Sequence, residues 1–244
     1  MDSNIQAAVN SLTLAQATID GLNARLLAAS PMVFADLQYK SWLVASGTAA
    51  NTGAIGNTAT SQQTLPGAAM ATRTLQPDGP YADKYWYLSL GANPSLMRFR
   101  QEYAFLFPTS LDSVNAQAVE TDLQQCIGGV CFNWGFQFDY AESLLRVWNR
   151  NGKSWVNIGF TASRPLPGQW VTIQLDCHRD AANVYYDVIT LNGAKLPLAT
   201  NMGFVAPKLG LADMLNVGQQ LDGEKVPSAY SIAIDRMKLT GWQV

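Results

Sequence analysis

The stretch Ala116-Gln-Ala-Val-Glu-Thr-Asp-Leu-Gln-Gln-Cys-Ile-Gly-Gly-Val-Cys-Phe-Asn-Trp-Gly-Phe-Gln-Phe-Asp-Tyr140 decides the fold. It reads as two alternating runs joined by an Ile-Gly-Gly-Val tip. In a strand, residues i and i+2 share a face. Val119, Thr121 and Leu123 therefore face a core, and Glu120, Asp122 and Gln124 oppose them. Beyond the tip, Phe132, Trp134, Phe136 and Phe138 take the core side, leaving Asn133, Gln137 and Asp139 opposite. Cys126 and Cys131 bracket the tip. A disulfide there would mark an oxidising compartment, and two reduced thiols are the other reading.

The same pattern extends in both directions. Runs rich in Val, Ile, Phe, Tyr and Trp, separated by Gly, Pro, Asn and Asp, predict strands at 32–37, 41–45, 70–75, 84–90, 96–107, 143–149, 155–160, 170–177, 182–191, 195–197, 204–211 and 230–240, beside 116–126 and 130–140. No helices interleave them, which predicts an all-β sandwich. Residues 47–67 carry no charge and read as a long loop or irregular edge within the domain. The start differs: Ile5, Leu12, Ile19 and Leu26 recur every seven residues up to Ser30-Pro31, which predicts an N-terminal helix over 1–30. Its stripe suits packing on its own domain, or self-association as a stalk. The sandwich then fills 31–244. The polar start Met1-Asp2-Ser3-Asn4 has no signal-peptide pattern, and the expectation is a trimmed piece of a longer secreted parent.

Bulk composition narrows the function. Hydrophobic residues make up 48% and charged residues 14%, with a net charge of −2. A nucleic-acid partner needs clustered Lys and Arg, and membrane insertion by a helix needs about 20 apolar residues in a row. Neither pattern is present. One histidine in 244 residues excludes a His-rich metal site. His178, amid Asp176, Arg179 and Asp180, reads as a turn residue rather than the base of a Ser-His-Asp hydrolase. Cys177 reads as a buried small hydrophobe. Gly152-Lys-Ser154 is a turn, since Val147 stands where a phosphate loop needs its first glycine.

Several stretches resemble landmarks of the concanavalin A-like, laminin-G-like jelly rolls. Glu120-Thr-Asp122 resembles the acidic strand of that fold. Pro167-Gly-Gln-Trp170-Val-Thr-Ile resembles its G-x-W-x-x-[IV] strand start, and Tyr185-Tyr-Asp-Val with Asn192-Gly193 resembles the strand that follows. Ala233-Ile-Asp235-Arg-Met-Lys-Leu-Thr-Gly-Trp242 resembles the closing strand. In this order they cover about 104 to 242. The resemblance implies a jelly roll of two antiparallel sheets, and a fold shared by lectins, glycosidases, lyases and adhesion modules. It also implies a structural calcium ion as an option, with Asp187, Asp222 and Asp235 as candidate ligands.

Polar residues opposite the core define the candidate site. Arg98, Arg100 and Glu102 oppose the apolar face of 96–107, and Arg146 and Trp148 oppose Leu145 and Val147. If these strands are neighbours, Arg98, Arg100, Glu102, Glu120, Asp122, Gln124, Asn133, Gln137, Arg146 and Trp148 form one strip. Its amides and charges suit sugar hydroxyls, and its aromatic suits C–H stacking. An ordinary solvated sheet face is the plainer reading. The expected function is an extracellular or cell-surface carbohydrate-binding or adhesion module with a glycan partner and no cofactor. A polysaccharide-cleaving enzyme is the alternative. Laminarinase-like relatives carry Glu-x-Asp-x-Glu or Glu-x-Asp-x-x-Glu, which implies Glu120 as nucleophile and Asp122 as support. Gln124 and Gln125 occupy both acid/base positions, and glutamine delivers no proton there. A fibre or appendage domain on a helical stalk is the third reading.

Overall fold

The computed structural model describes residues 30–46, 60–63, 71–149, 151–196, 198 and 202–243. The predicted N-terminal helix, and self-association through it, lie outside the described residues. In chain order the strands are β1 (Met32–Phe34), β2 (Leu43–Ser46), β3 (Thr60–Gln63), β4 (Ala71–Gln76), β5 (Asp83–Ser89), β6 (Arg98–Leu106), β7 (Ala116–Ile127), β8 (Val130–Asp139), β9 (Leu144–Asn149), β10 (Ser154–Thr161), β11 (Val171–Arg179), β12 (Asn183–Leu191), β13 (Ala194–Leu196), β14 (Met202–Val205), β15 (Met214–Gly223) and β16 (Tyr230–Trp242). Sheet A runs β13-β12-β11-β6-β16-β4-β3, with β1 also on β16 and β14 also on β12. Sheet B runs β10-β9-β8-β7-β15-β5-β2. This is the predicted jelly-roll sandwich of two antiparallel sheets.

Three elements depart from the sequence reading. β3 falls inside the stretch expected to be loop, 204–211 is strand only to Val205, and β15 was not predicted at all. A one-and-a-half-turn helix, α1 (Ser110–Asn115), carries the chain from sheet A to sheet B. Thr109 starts it, because its hydroxyl accepts from the Asp112 amide while the Asp112 carboxylate accepts from the Thr109 amide.

The core lies between the sheets and is aromatic. Alternate residues of β6 and β8 meet there, with Phe99 5.4 Å from Trp134 and Phe105 5.6 Å from Phe138. Edge-to-face pairs of this kind add about 0.5–1.5 kcal/mol beyond the area they bury. Polar ties cross the same layer. Arg179 of β11 donates to Gln125 of β7 at 2.6 Å and to the Pro94 and Leu96 carbonyls. Gln101 of β6 donates to Thr121 of β7 at 3.0 Å.

Arg73 of β4 has no such partner. It is fully buried, its three nitrogens have no acceptor, and its guanidinium lies 4.0 Å from the Trp42 ring and 5.3 Å from the Trp86 ring. Burial pulls its pKa from 12.5 down to about 9. Each ring contributes about 2 kcal/mol when desolvated, while an unpaired charge out of water costs several. The desolvation wins. Arg73→Met, similar in length and apolar, is expected to raise stability by about 1–3 kcal/mol in urea unfolding. A loss of stability would show that the stacking outweighs the desolvation.

Candidate functional site

The central ladders of sheet B set out the site. Across β7, Glu120 faces Gln220 of β15 on one side and Gln137 of β8 on the other. Asp122 lies between Gly218 and Gly135, Gln124 between Asn216 and Asn133, and Ala118 between Asp222 and Asp139. Further out, Asp83, Tyr85 and Tyr87 of β5 stand beside Asp222, Gln220 and Gly218. On the other flank Arg146 of β9 pairs with Gln137, and Trp148 and Arg146 face Trp155 and Asn157 of β10. The outer face is thus a carboxyl and amide floor between two aromatic pairs. The Tyr85 and Tyr87 rings are 6.1 Å apart, and the Trp148 and Trp155 rings 5.1 Å apart.

Two glycines shape that floor. A Cβ at Gly135 would lie 2.8 Å from both Asp122 Oδ1 and Trp148 Cβ. One at Gly218 would collide with the Tyr85 hydroxyl. Bare backbone therefore lets Asp122 lean toward the tryptophans and Tyr85 lean inward from the other side. An interior side chain opens the tryptophan flank: Tyr186 of β12 accepts from the Gly135 amide at 2.8 Å and donates to the Trp148 carbonyl at 2.9 Å. The β8–β9 register stops at Phe136↔Val147, just before this wedge.

The floor is recessed. Outer faces of antiparallel sheets usually stay solvated, yet Glu120 is 6% exposed and Asp83 and Asp139 are each 3% exposed. Asp139 is paired with Arg146 at 2.7 Å, and Arg146 also holds Glu142. Gln137 donates to Glu120 at 2.6 Å, and Gln220 donates to Asp222 at 2.8 Å. Glu120 and Asp222 are hydrogen-bonded to each other. Burial, then the Asp222 charge, raises the Glu120 pKa well above its ordinary value, and burial raises that of Asp222. Two carboxylates in contact cannot both ionise cheaply, so a proton shared between them is favoured. Burial, with Asp222 nearby, raises Asp83 from 3.8 to about 7.

Seven of the ten predicted binding residues share this face: Glu120, Asp122, Gln124, Asn133, Gln137, Arg146 and Trp148. Arg98, Arg100 and Glu102 do not. They belong to β6, which hydrogen-bonds to β11 and β16 in sheet A, and they point away on the far side of the sandwich. There Arg100 pairs with Asp176 and Glu102 with Lys238, both at 2.7 Å, and Glu102 lines a cavity of about 500 Å³. Gln125, at one of the two acid/base positions of the resemblance, points inward to Arg179. His178 is no turn residue. It lies within β11, 2.7 Å from Asp187 and stacked on Tyr185.

The calcium candidates do not converge. Asp187 holds His178, Asp235 sits beside Arg236, and Asp222 is in sheet B. Among the described residues no group of three or more His, Cys, Asp or Glu is arranged to hold a metal. Sequence reasoning missed Asp83, Tyr85, Tyr87, Trp155, Asn157 and Gln220 as site residues, and Asp222 in its present role. Leu215, Val217 and Leu221 at spacing two were the available signal for β15. Gln219, wholly buried on their face, interrupted it.

No protein-family model and no curated protein matches the sequence. Solved structures do resemble it. Arcelin-5, a lectin-like defense protein from Phaseolus vulgaris, matches over 88% of this chain and 100% of its own, with a TM-score of 0.50 at 8% identity. Peanut lectin matches over 84% and 100% (TM-score 0.47, 10% identity), and a carbohydrate esterase from Shiga toxin-encoding bacteriophage phi24B over 84% and 92% (TM-score 0.44, 13% identity). At these identities the likeness is one of fold, the concanavalin A-like jelly roll.

Asp83 makes the site felt in stability. Unfolded, it ionises near 3.8; folded, near 7. Between those values the unfolded chain has released a proton that the folded chain keeps, so raising pH favours unfolding. The Asp83 contribution therefore falls as pH climbs from about 4 to about 7, by at most about 1.4 kcal/mol per pH unit. Asp83→Asn is expected to flatten that limb when urea midpoints are followed against pH. An unchanged profile would refute the assignment.

Proposed function

We propose that the outer face of sheet B binds carbohydrate, and that the chain works as a carbohydrate-binding or adhesion module in an extracellular or cell-surface setting. The observation that carries this reading is the pairing of two aromatic flanks with a recessed polar floor. Half-buried Tyr85, Tyr87 and Trp155 offer ring faces for sugar C–H groups, while Gln137, Gln220, Asp122 and Asn133 offer hydrogen bonds to hydroxyls. A sandwich whose face merely met solvent would have no reason to withdraw Glu120, Asp83 and Asp139 from it. The Cys126–Cys131 disulfide supports the setting, and the lectin-like character of arcelin-5, on a shared fold, points the same way.

One observation favours a second reading, polysaccharide cleavage. Burial and the neighbouring Asp222 charge push the Glu120 pKa well above its ordinary value, the direction a general acid needs. Against it, the two carboxyls touch, whereas retaining glycosidases hold theirs about 5–5.5 Å apart. Of the two glutamines at the family's acid/base positions, Gln124 faces the site.

Affinity electrophoresis over a panel of soluble polysaccharides tests the binding reading. At least one polymer is expected to retard the chain, and Trp155→Ala and Tyr87→Ala are each expected to weaken that retardation about tenfold, the worth of one aromatic contact. No retardation by any polymer would overturn it. Reducing-end release that vanishes in Glu120→Gln would instead establish cleavage.

A further inference from the structure

The floor of the site is short of donors. The outer face of sheet B presents four buried polar atoms without a hydrogen-bond partner: Asp83 Oδ1, Asn133 Oδ1, Gln137 Oε1 and Asn216 Oδ1. All four are acceptors, and Asp83 and Gln137 are more than nine-tenths buried. Gln137 cannot turn its amide round without losing its bond to Glu120, so its free oxygen is fixed in place. Unpaired donors elsewhere in the described residues lie between the sheets, such as Arg73, or on sheet A, as the Thr190 hydroxyl does. A buried acceptor without a donor is unfavourable, and a ligand that supplies the missing hydrogens relieves that cost.

Charge on this face points the same way. Asp83, Glu120, Asp122, Asp139 and Asp222 share it, and Arg146 is committed to Asp139 and Glu142. A uronate or sulfated sugar would meet like charge. A neutral sugar would bring hydroxyls, each donor and acceptor alike. An ammonium group brings three hydrogens and no acceptor.

We propose that the site takes a cationic amino sugar, a hexosamine with a free amine, whose ammonium sits over Asp83, Asp222 and Glu120 while the adjoining rings lie along Tyr85 and Tyr87. The inference rests on the carbohydrate-binding reading and assigns its substrate class. Removing the charge by acetylation turns the three-hydrogen cation into an amide with one hydrogen and a carbonyl, and leaves the rest of the sugar intact.

Calorimetric titration of the intact chain in buffer near pH 7, where Asp83 is ionising, tests this. The probes are glucosamine and galactosamine oligomers, their N-acetylated counterparts, cello-oligomers and oligouronates of matched length. One free-amine series is expected to bind at least about tenfold tighter than its acetylated counterpart, the size of a charge-assisted contact, with a preference that shrinks as salt rises. Asp222→Asn and Asp83→Asn are each expected to abolish the preference while circular dichroism shows the fold retained. Acetylated, neutral or acidic oligomers binding as tightly as the free amines would overturn the proposal and leave the carbohydrate site standing. Binding to none of the probes, together with no retardation by any polysaccharide, would overturn both.

Discussion

The ladder between β7 and β15 answers two demands at once. On its inner side Val119, Leu123, Val217 and Leu221 fill the space between the sheets, fully buried. On its outer side Glu120 is withdrawn from water and half-buried Asp222 is hydrogen-bonded to it. Side chains alternate with a period of two, so a slip of one residue would exchange the two sets. The apolar core thereby holds the carboxyls in place: the energy that fixes the register comes from one face, and the chemistry sits on the other.

Interior tyrosines decide where those ladders give way. Tyr186 inserts its hydroxyl between Gly135 and Trp148, both of its hydrogen bonds satisfied, and turns β9 from β8 at the tryptophan flank. Tyr230 places its hydroxyl 3.0 Å from the Ala118 carbonyl and 2.9 Å from that of Asp222, next to the register shift between Asp222 and Gly223. Each spends a buried phenol on a backbone irregularity, and each irregularity borders the recessed floor. Backbone groups released from a ladder need another partner when they are buried. The two phenols supply it from within the core.

Much of this was legible in the residues. Alternation in 116–140 assigned the faces of β7 and β8 correctly, because one clearly apolar set was present in each. The Gly-Gly tip placed the disulfide. Alternation is silent, however, about which sheet a strand joins. Arg98, Arg100 and Glu102 were rightly put opposite the core of their own strand and wrongly joined to β7, because the chain crosses between sheets at α1. β15 escaped notice for a different reason. Gly218 is there to make room for Tyr85, and Gln219 is a polar residue on the core side, so both break the pattern that identifies strands. Half of the floor came with it, and no spacing within a single strand joins Glu120 to Asp222.

The bond between Cys126 and Cys131 joins residues five apart that face each other directly across the hairpin. A loop so short gains least from the chain-entropy effect of a crosslink, so its worth lies in alignment. It is a rivet at one end of the β7–β8 hairpin, holding Asp122 opposite Gly135 and Glu120 opposite Gln137 along the rest. Reduction would therefore loosen the hairpin from its tip inward, while the buried side chains further along keep hold of the same register.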